Sequence, residues 1–252
     1  AAQFVQNPWY PVAEPSDAQA SADMADASRD LTAELVKLVQ AMQEIKAEED
    51  SRVNSYEIFV NQKQTHIRNS RGVDVTFSGF DCEIEVVTNS RKDDHEIEIY
   101  KDLRFSDKSA EKIIAEVRGM FHTGRQRLNA VPTRQNEHAD VLLTGNAVGS
   151  FFQYFAMHTN ASYQYMGVAK AKIGEAITGA DADPLNICLV PTLDGSAKNA
   201  PYDETGMPVA ERVLFENGIC RSYWGSLQHA HYIGMKNTTS MNNMVVEGGS
   251  KT

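Results

Sequence analysis

The chain has 252 residues, of which 42% are hydrophobic and 23% are charged, so it can bury the core of one large domain or two medium ones. Its 24 Lys and Arg residues stand against 34 Asp and Glu residues, a formal net charge of −10. Because phosphate binding relies on clustered Lys and Arg, this balance argues against direct binding of nucleic acid. No run approaches the roughly 18–20 apolar residues that a membrane-spanning helix needs.

The cysteines and the first residues bear on the cellular compartment. Cys82, Cys188 and Cys220 are too few and too scattered for a disulfide framework, which favours a reducing environment. Residues 1–6 lack the basic start and the apolar stretch of a signal peptide. A cytoplasmic protein is therefore expected. The absence of an initiator Met suggests that the chain is a piece of something longer.

The N-terminal region predicts an irregular segment followed by a long helix. Residues 1–26 are rich in Ala, Asp, Ser and Pro, which argues against regular structure there. From Ser28 to about Glu49, apolar residues recur at helical spacing on one face. Ser28 and Asp30 are candidates for the N-cap.

A β-meander is predicted over residues 53–104, followed by a second helix from Ser106 to about Asn129. Alternating apolar and polar residues mark the strands of the meander, which are placed at 56–60, 73–77, 81–88 and 95–100. The polar connection at 131–136 is the predicted domain boundary.

Beyond that boundary, Asp140–Leu143 predicts a short buried strand, and residues 145–159 predict a helix. The aromatic residues of this helix favour a core position over a ligand pocket; they are Phe151, Phe152, Tyr154 and Phe155. The last third returns to β-structure, with a strand at 185–190 closed by Pro191 and a hairpin around Asn217-Gly218.

The elements together predict an α+β fold of mainly antiparallel sheets with long amphipathic helices. Two subdomains are expected. The first covers residues 1–130 and contains the long helix, the meander and the second helix. The second is β-rich and covers residues 131–252.

A series of short landmarks, in order and spacing over about residues 28–250, resembles the TldD/PmbA family, also called modulators of DNA gyrase. The landmarks are Asn69-Ser70-Arg71-Gly72, Val141-Leu142-Leu143 with its following helix, Ala171-Lys172-Ile173-Gly174-Glu175, Asp181-Ala182-Asp183-Pro184, Asp203-Glu204-Thr205-Gly206-Met207-Pro208, Glu216-Asn217-Gly218-Ile219, Ala230-His231-Tyr232-Ile233-Gly234, Asn237-Thr238-Thr239-Ser240 and Gly248-Gly249. Family members are usually much longer. The resemblance therefore implies that residues 1–130 are the central part of an N-terminal domain, and that the C-terminal domain is incomplete.

The resemblance implies a division of labour between two kinds of subunit. TldD-type subunits hold zinc with a His-Glu-x-x-x-His helix and a later Cys, whereas TldE/PmbA-type subunits lack that site and pair with TldD to form a peptidase acting on small or unfolded peptides. Aligned on this motif, residues 153–158 place Gln153 at the first His, Tyr154 at the Glu and His158 at the second His. Gln is a poor zinc ligand, and Tyr cannot replace a carboxylate base near neutral pH. The resemblance is therefore to the TldE/PmbA side.

The remaining candidates for metal chemistry are weaker. His229 and His231 are separated by one residue and would share a face only in a strand, where Cys220 would complete a three-ligand zinc site. No carboxylate is obviously placed to support such a site. His95-Glu96 begins like a zinc-peptidase motif, but no second ligand follows at the required spacing.

Other kinds of site find little support in the sequence. Asp194, Asp203 and Glu204 lie in a loop rich in Gly and Pro, where they would bind a peptide amine or a cation, or serve as solvated turn carboxylates. A G-x-S-x-G elbow and the glycine spacings of phosphate-binding loops are both absent. The sequence thus assigns no catalytic, cofactor-binding or metal-binding residue to this chain.

Three functional hypotheses follow. The first is a non-catalytic TldE/PmbA-like subunit of a TldD/TldE-type metallopeptidase, with zinc held by a TldD-like partner. The second is a stand-alone homodimer that binds or scaffolds extended peptides, for instance by adding strands to exposed sheet edges. The third is a divergent metalloenzyme in which His158, His229, His231 and Cys220 converge.

Overall fold

The structure is a computed structural model that describes residues 7–17, 29–133, 135, 138–179, 182–235 and 242–249. Ser28, Asp181 and the landmark at 237–240 lie outside these ranges. The predicted α+β fold is confirmed. Within the described ranges, the helices are α1 Leu31–Gln43, α2 Ala110–Leu128, α3 Asn146–His158, α4 Ala161–Tyr165 and α5 Leu227–Tyr232, and the strands are β1 Ser51–Arg68, β2 Asp74–Lys92, β3 His95–Phe105, β4 Ile187–Val190, β5 Arg212–Glu216, β6 Ile219–Cys220 and β7 Asn243–Val246.

The first sheet is an antiparallel meander in the order β1-β2-β3. Its strands are longer than predicted, because the strands expected at 73–77 and 81–88 are the two ends of the single strand β2. Gly79 and its polar neighbour interrupt the alternation in sequence, yet Gly79 still pairs with Lys63 of β1. Pairing across the strands has overridden the local pattern.

Both long helices pack on one face of this sheet and form the first core. Side chains at the centre of that core are fully buried, namely Ile84 and Val86 of β2 and Ile113, Val117 and Phe121 of α2. The helix α1 is shorter than the predicted 28–49. It begins after Asp30, whose carboxylate accepts hydrogen bonds from the backbone N–H groups of Thr32 and Ala33.

The second sheet is also antiparallel, in the order β6-β5-β4-β7. It carries the second core, in which Ile187, Leu214 and Phe215 are buried beneath α3. The predicted hairpin is confirmed, since Asn217 and Gly218 connect β5 to β6 with φ values of 51° and 76°. Two successive positive φ angles are typical of the type I′ turn that Asn-Gly favours.

The segment after the predicted domain boundary differs from the prediction. Asp140–Leu143 is not a strand, and it is exposed rather than buried, with Val141 and Leu142 at 76% and 89% exposure. In the described part of the chain, this segment belongs to neither of the two sheets. An apolar run in the sequence predicts that the segment is buried. Whether it is buried depends on whether another part of the fold covers it, which the run itself does not indicate.

The two parts of the molecule touch along the first sheet. The Ser106 N–H donates a hydrogen bond of 2.9 Å to the Gly195 carbonyl, and the ring of Phe77 packs 5.8 Å from that of Tyr202. Gly206 lies against β2 so closely that a Cβ atom there would sit 2.5 Å from Val73 Cγ1. Among the described residues, no helix combines the length and apolar character needed to cross a membrane.

Candidate functional site

The helix α3 presents residues 153–158, where the sequence predicts a failed zinc motif. Gln153 is exposed and lines a cavity of about 370 Å³ with Leu193 and Met244. Tyr154 is half exposed, and its ring packs between His158, 4.4 Å away between centroids, and the Lys170 ammonium, 5.5 Å from the ring centroid. The position of the general base therefore holds an aromatic ring that packs against His158 and Lys170.

His158, at the position of the second ligand, is buried and makes contacts within the fold. Its Nδ1 accepts a hydrogen bond of 3.3 Å from the Lys170 backbone N–H, and its ring lies 5.8 Å from that of Tyr163. Burial lowers the pKa of His158, and the positive charge of Lys170 lowers it further. The imidazole therefore acts as a neutral core residue. Neither Lys170 nor Tyr163 belongs to the motif, so their roles could not be predicted from it.

The second group of candidate ligands does not form a site. His229 and His231 lie on α5, and a helix directs side chains two residues apart to different faces. His229 Nδ1 lies 3.1 Å from the hydroxyl of Ser226, the N-cap residue of that helix, while His231 is exposed.

Cys220 is fully buried in β6, and burial raises its pKa to about 11. Its thiol lies 3.8 Å from the carbonyl oxygen of Ser222, to which it can donate a weak hydrogen bond. Metal ligation requires the thiolate, which this environment disfavours.

The loop that contains Asp203 and Glu204 forms a turn that the Asp203 side chain stabilises. Asp203 is buried, and its Oδ1 accepts hydrogen bonds from the Thr205 N–H, the Thr205 hydroxyl and the Met207 N–H. Glu204 is exposed beside a cavity of about 380 Å³, and Asp194 is exposed as well. His95 and Glu96 both lie exposed at the start of β3, where Asn89 donates a hydrogen bond to Glu96.

Taken together, these positions do not fit a metal centre. Within the described ranges, no group of three or more His, Cys, Asp or Glu side chains is arranged to hold a metal ion. The side chains at 153 and 154 have the wrong chemistry, and His158 uses Nδ1 within the fold. The zinc that the family implies is therefore not accommodated by α3 of this chain.

Known structures share this fold. The chain is similar to TldE from Thermococcus kodakarensis, with 18% identity and a TM-score of 0.65 over 100% of this chain and 59% of that one. A proposed modulator of DNA gyrase from Thermotoga maritima has 15% identity and a TM-score of 0.69 over 99% and 60% of the two chains. A similar protein from Bacteroides thetaiotaomicron has 15% identity and a TM-score of 0.63 over 95% and 56%. The chain spans about three fifths of the length of these structures.

The fold and the altered motif point to a protein related to metallopeptidases. Residues 136–252 match the family model described as the PmbA/TldA metallopeptidase C-terminal domain. This match confirms the resemblance to the PmbA/TldD family that the landmarks predict. No curated protein matches the chain in sequence.

Proposed function

We propose that this chain is a non-catalytic, TldE/PmbA-like subunit of a cytoplasmic metallopeptidase that processes small or unfolded peptides. A TldD-like partner carrying a His-Glu-x-x-x-His helix would supply zinc and the general base. The observation that carries the proposal is α3. In the alignment that the resemblance implies, it takes the place of the family's motif but offers Gln153 and Tyr154 instead of a ligand and a base, and it buries His158 as a core residue.

The outer face of α3 supports pairing with another protein. Val148, Phe151 and Tyr154 are all at least one-third exposed, and the exposed apolar segment Val141–Leu143 precedes them. The helix is apolar on several sides, yet among its described residues only Ala156 and His158 are buried. A helix apolar all round is normally covered. This face therefore suits a protein partner.

The test is cleavage of a quenched, unstructured peptide by this chain, by a TldD-like subunit, and by an equimolar mixture. The proposal predicts cleavage by the mixture alone or far above that of the partner, and none by this chain. Phe151→Asp should weaken pairing about tenfold or more. Tyr100→Asp, at an exposed aromatic residue of β3, is the matched control. Chelator-sensitive cleavage by this chain alone would refute the proposal.

A stand-alone peptide-binding homodimer is the second candidate. The exposed segment at 140–143, which belongs to neither described sheet, favours it, because such a segment can accept another strand by hydrogen bonding. The two candidates differ in the mixture assay. A stand-alone protein would bind peptide without a partner and would leave the partner's activity unchanged.

A further inference from the structure

Residues 7–17 form an extended strap that crosses the junction between the two parts of the molecule, without helix or strand of its own. At one end, the Tyr232 hydroxyl of α5 donates a hydrogen bond of 2.5 Å to the Pro8 carbonyl. The ring of Tyr10 packs edge-on against Tyr232, with centroids 6.1 Å apart. Further along, Asn69 Nδ2 donates a hydrogen bond of 2.7 Å to the Ala13 carbonyl.

The small size of Ala13 and the charge of Glu14 also help to hold the strap in place. Ala13 is 4% exposed, so a larger side chain would not fit without displacing its surroundings. Glu14 forms an ion pair with Arg71 in the turn between β1 and β2. The Pro15 ring lies over Gly72 of the same turn, where a Cβ atom would be 3.5 Å from Pro15 Cγ.

The groups that hold the strap are positioned by their own elements. Asn69 Oδ1 accepts hydrogen bonds from the N–H groups of Arg71 and Val73, which fixes the side chain and directs Nδ2 outward. Tyr232 packs 4.9 Å from the ring of Tyr165 and accepts a hydrogen bond of 3.1 Å from Gln228. These contacts lie outside the strap and hold the side chains that meet it, as expected for a preorganised binding site.

The strap itself has the composition of a peptide ligand. Proline at positions 8, 11 and 15 restricts the backbone to extended conformations and reduces the entropy lost on binding. Aromatic grooves that bind proline-rich segments use the same combination of a rigid peptide, a hydroxyl donor to a carbonyl and ring packing. We propose that the groove from α5 to the β1–β2 turn is a binding site for extended, acidic, proline-containing peptides, and that residues 7–17 occupy it as a tethered ligand.

The landmarks that hold the strap have no part in the function proposed above. Asn69–Gly72 supplies the amide, the guanidinium and the glycine surface, and Tyr232 supplies the hydroxyl and the ring. Because the strap is tethered, it competes at high effective concentration with any free peptide. Release of the strap is therefore the step that makes the groove available.

The experiment uses a fluorescent peptide of residues 7–17 and the full chain. Ala13→Arg removes the fit of the strap but leaves the groove intact, so this variant should bind the peptide about tenfold or more tightly than the unaltered chain. Glu14→Lys is an exposed charge reversal that preserves folding, and it should give a smaller increase in the same direction. A peptide carrying Ala13→Arg is the matched control and should not bind either variant.

A charge exchange tests the contact with Arg71. The Arg71→Glu change, added to Ala13→Arg, should weaken binding of the native peptide and restore binding of a Glu14→Lys peptide. The proposal would be overturned if neither strap variant bound the peptide more tightly than the unaltered chain. Equal binding of native and control peptides would overturn it as well, since it would show attachment without sequence preference.

Discussion

The burial of His158 gives stability a pH dependence that can be assigned to one side chain. Its pKa is lowered by burial and by the charge of Lys170. Above its ordinary pKa of about 6.5 the imidazole is neutral in both the folded and unfolded chain. As the pH falls below that value, the unfolded chain takes up the proton first, so the folded state loses stability until the pH reaches the lowered pKa.

His158→Gln keeps an acceptor for the Lys170 N–H and removes the titration. We expect the fall in melting temperature between pH 7.5 and pH 5.5 to be smaller in this variant than in the unaltered chain. His95→Gln, at an exposed position, is the control and should leave the fall unchanged. Thermal unfolding measured by circular dichroism across this range makes the test. Identical pH profiles for the His158 variant and the unaltered chain would contradict it.

Asp203 shows that a carboxylate in a polar loop can be structural. It accepts three hydrogen bonds within its own turn and is 6% exposed. Asp203→Ala should lower the free energy of unfolding by about 1–3 kcal/mol, because donors in the turn lose their acceptor. The neighbouring Glu204→Ala, at an exposed position, should change it by less than about 0.5 kcal/mol. Denaturant titration of both variants checks this, and equal effects would argue against the turn role.

At the scale of elements, two glycines of α2 provide a matched pair. Gly124 allows the helix to approach β2, since a Cβ atom there would lie 2.1 Å from Ser90 Oγ, which is hydrogen-bonded to Ser51 in the interior. Gly119 faces open space. Gly119→Ala should therefore stabilise the protein by about 0.5–1 kcal/mol through helix propensity, whereas Gly124→Ala should destabilise it by about 1–3 kcal/mol.

Chemical denaturation of the two alanine variants gives the comparison directly. Stabilisation by both substitutions would show that α2 does not pack closely on β2 at Gly124. Destabilisation by both would show that the helix is constrained at Gly119 by contacts beyond those described.

Elements whose signals are local could be predicted from the sequence. The Asn217-Gly218 turn requires positive φ angles that these two residues favour, and Asp30 caps α1 through donors two and three residues away. The exposure of the segment at 140–143 could not be predicted. An apolar run predicts burial, but it does not indicate which other part of the fold would cover it.

The residue types of the candidate site could be predicted from the sequence, but the positions of its side chains could not. The residue types at 153 and 154 already indicate that the motif cannot hold zinc. The inward position of His158 depends on the backbone of Lys170, twelve residues away, and the strap depends on contacts between Ala13 and Asn69, 56 residues apart. Such contacts follow from the fold, and the sequence predicted only that residues 1–26 would lack regular structure.

At the scale of the whole molecule, the two parts carry different features. The first sheet, with α1 and α2, builds a core of its own, and the second sheet, with α3, builds another. The strap spans the junction between them, while the exposed face of α3 belongs to the second part alone. The proposed partner surface and the proposed peptide groove therefore lie at different places on the molecule.

The absence of a zinc site on α3 can be tested by measuring the zinc content per chain, on protein purified without chelators or an affinity tag. We expect a content well below one zinc per chain, because α3 offers no adequate ligand set and Cys220 is held as a buried thiol. A content close to one zinc per chain, lost when His158, His229, His231 or Cys220 is replaced, would contradict it and would make this chain a metal-binding subunit in its own right.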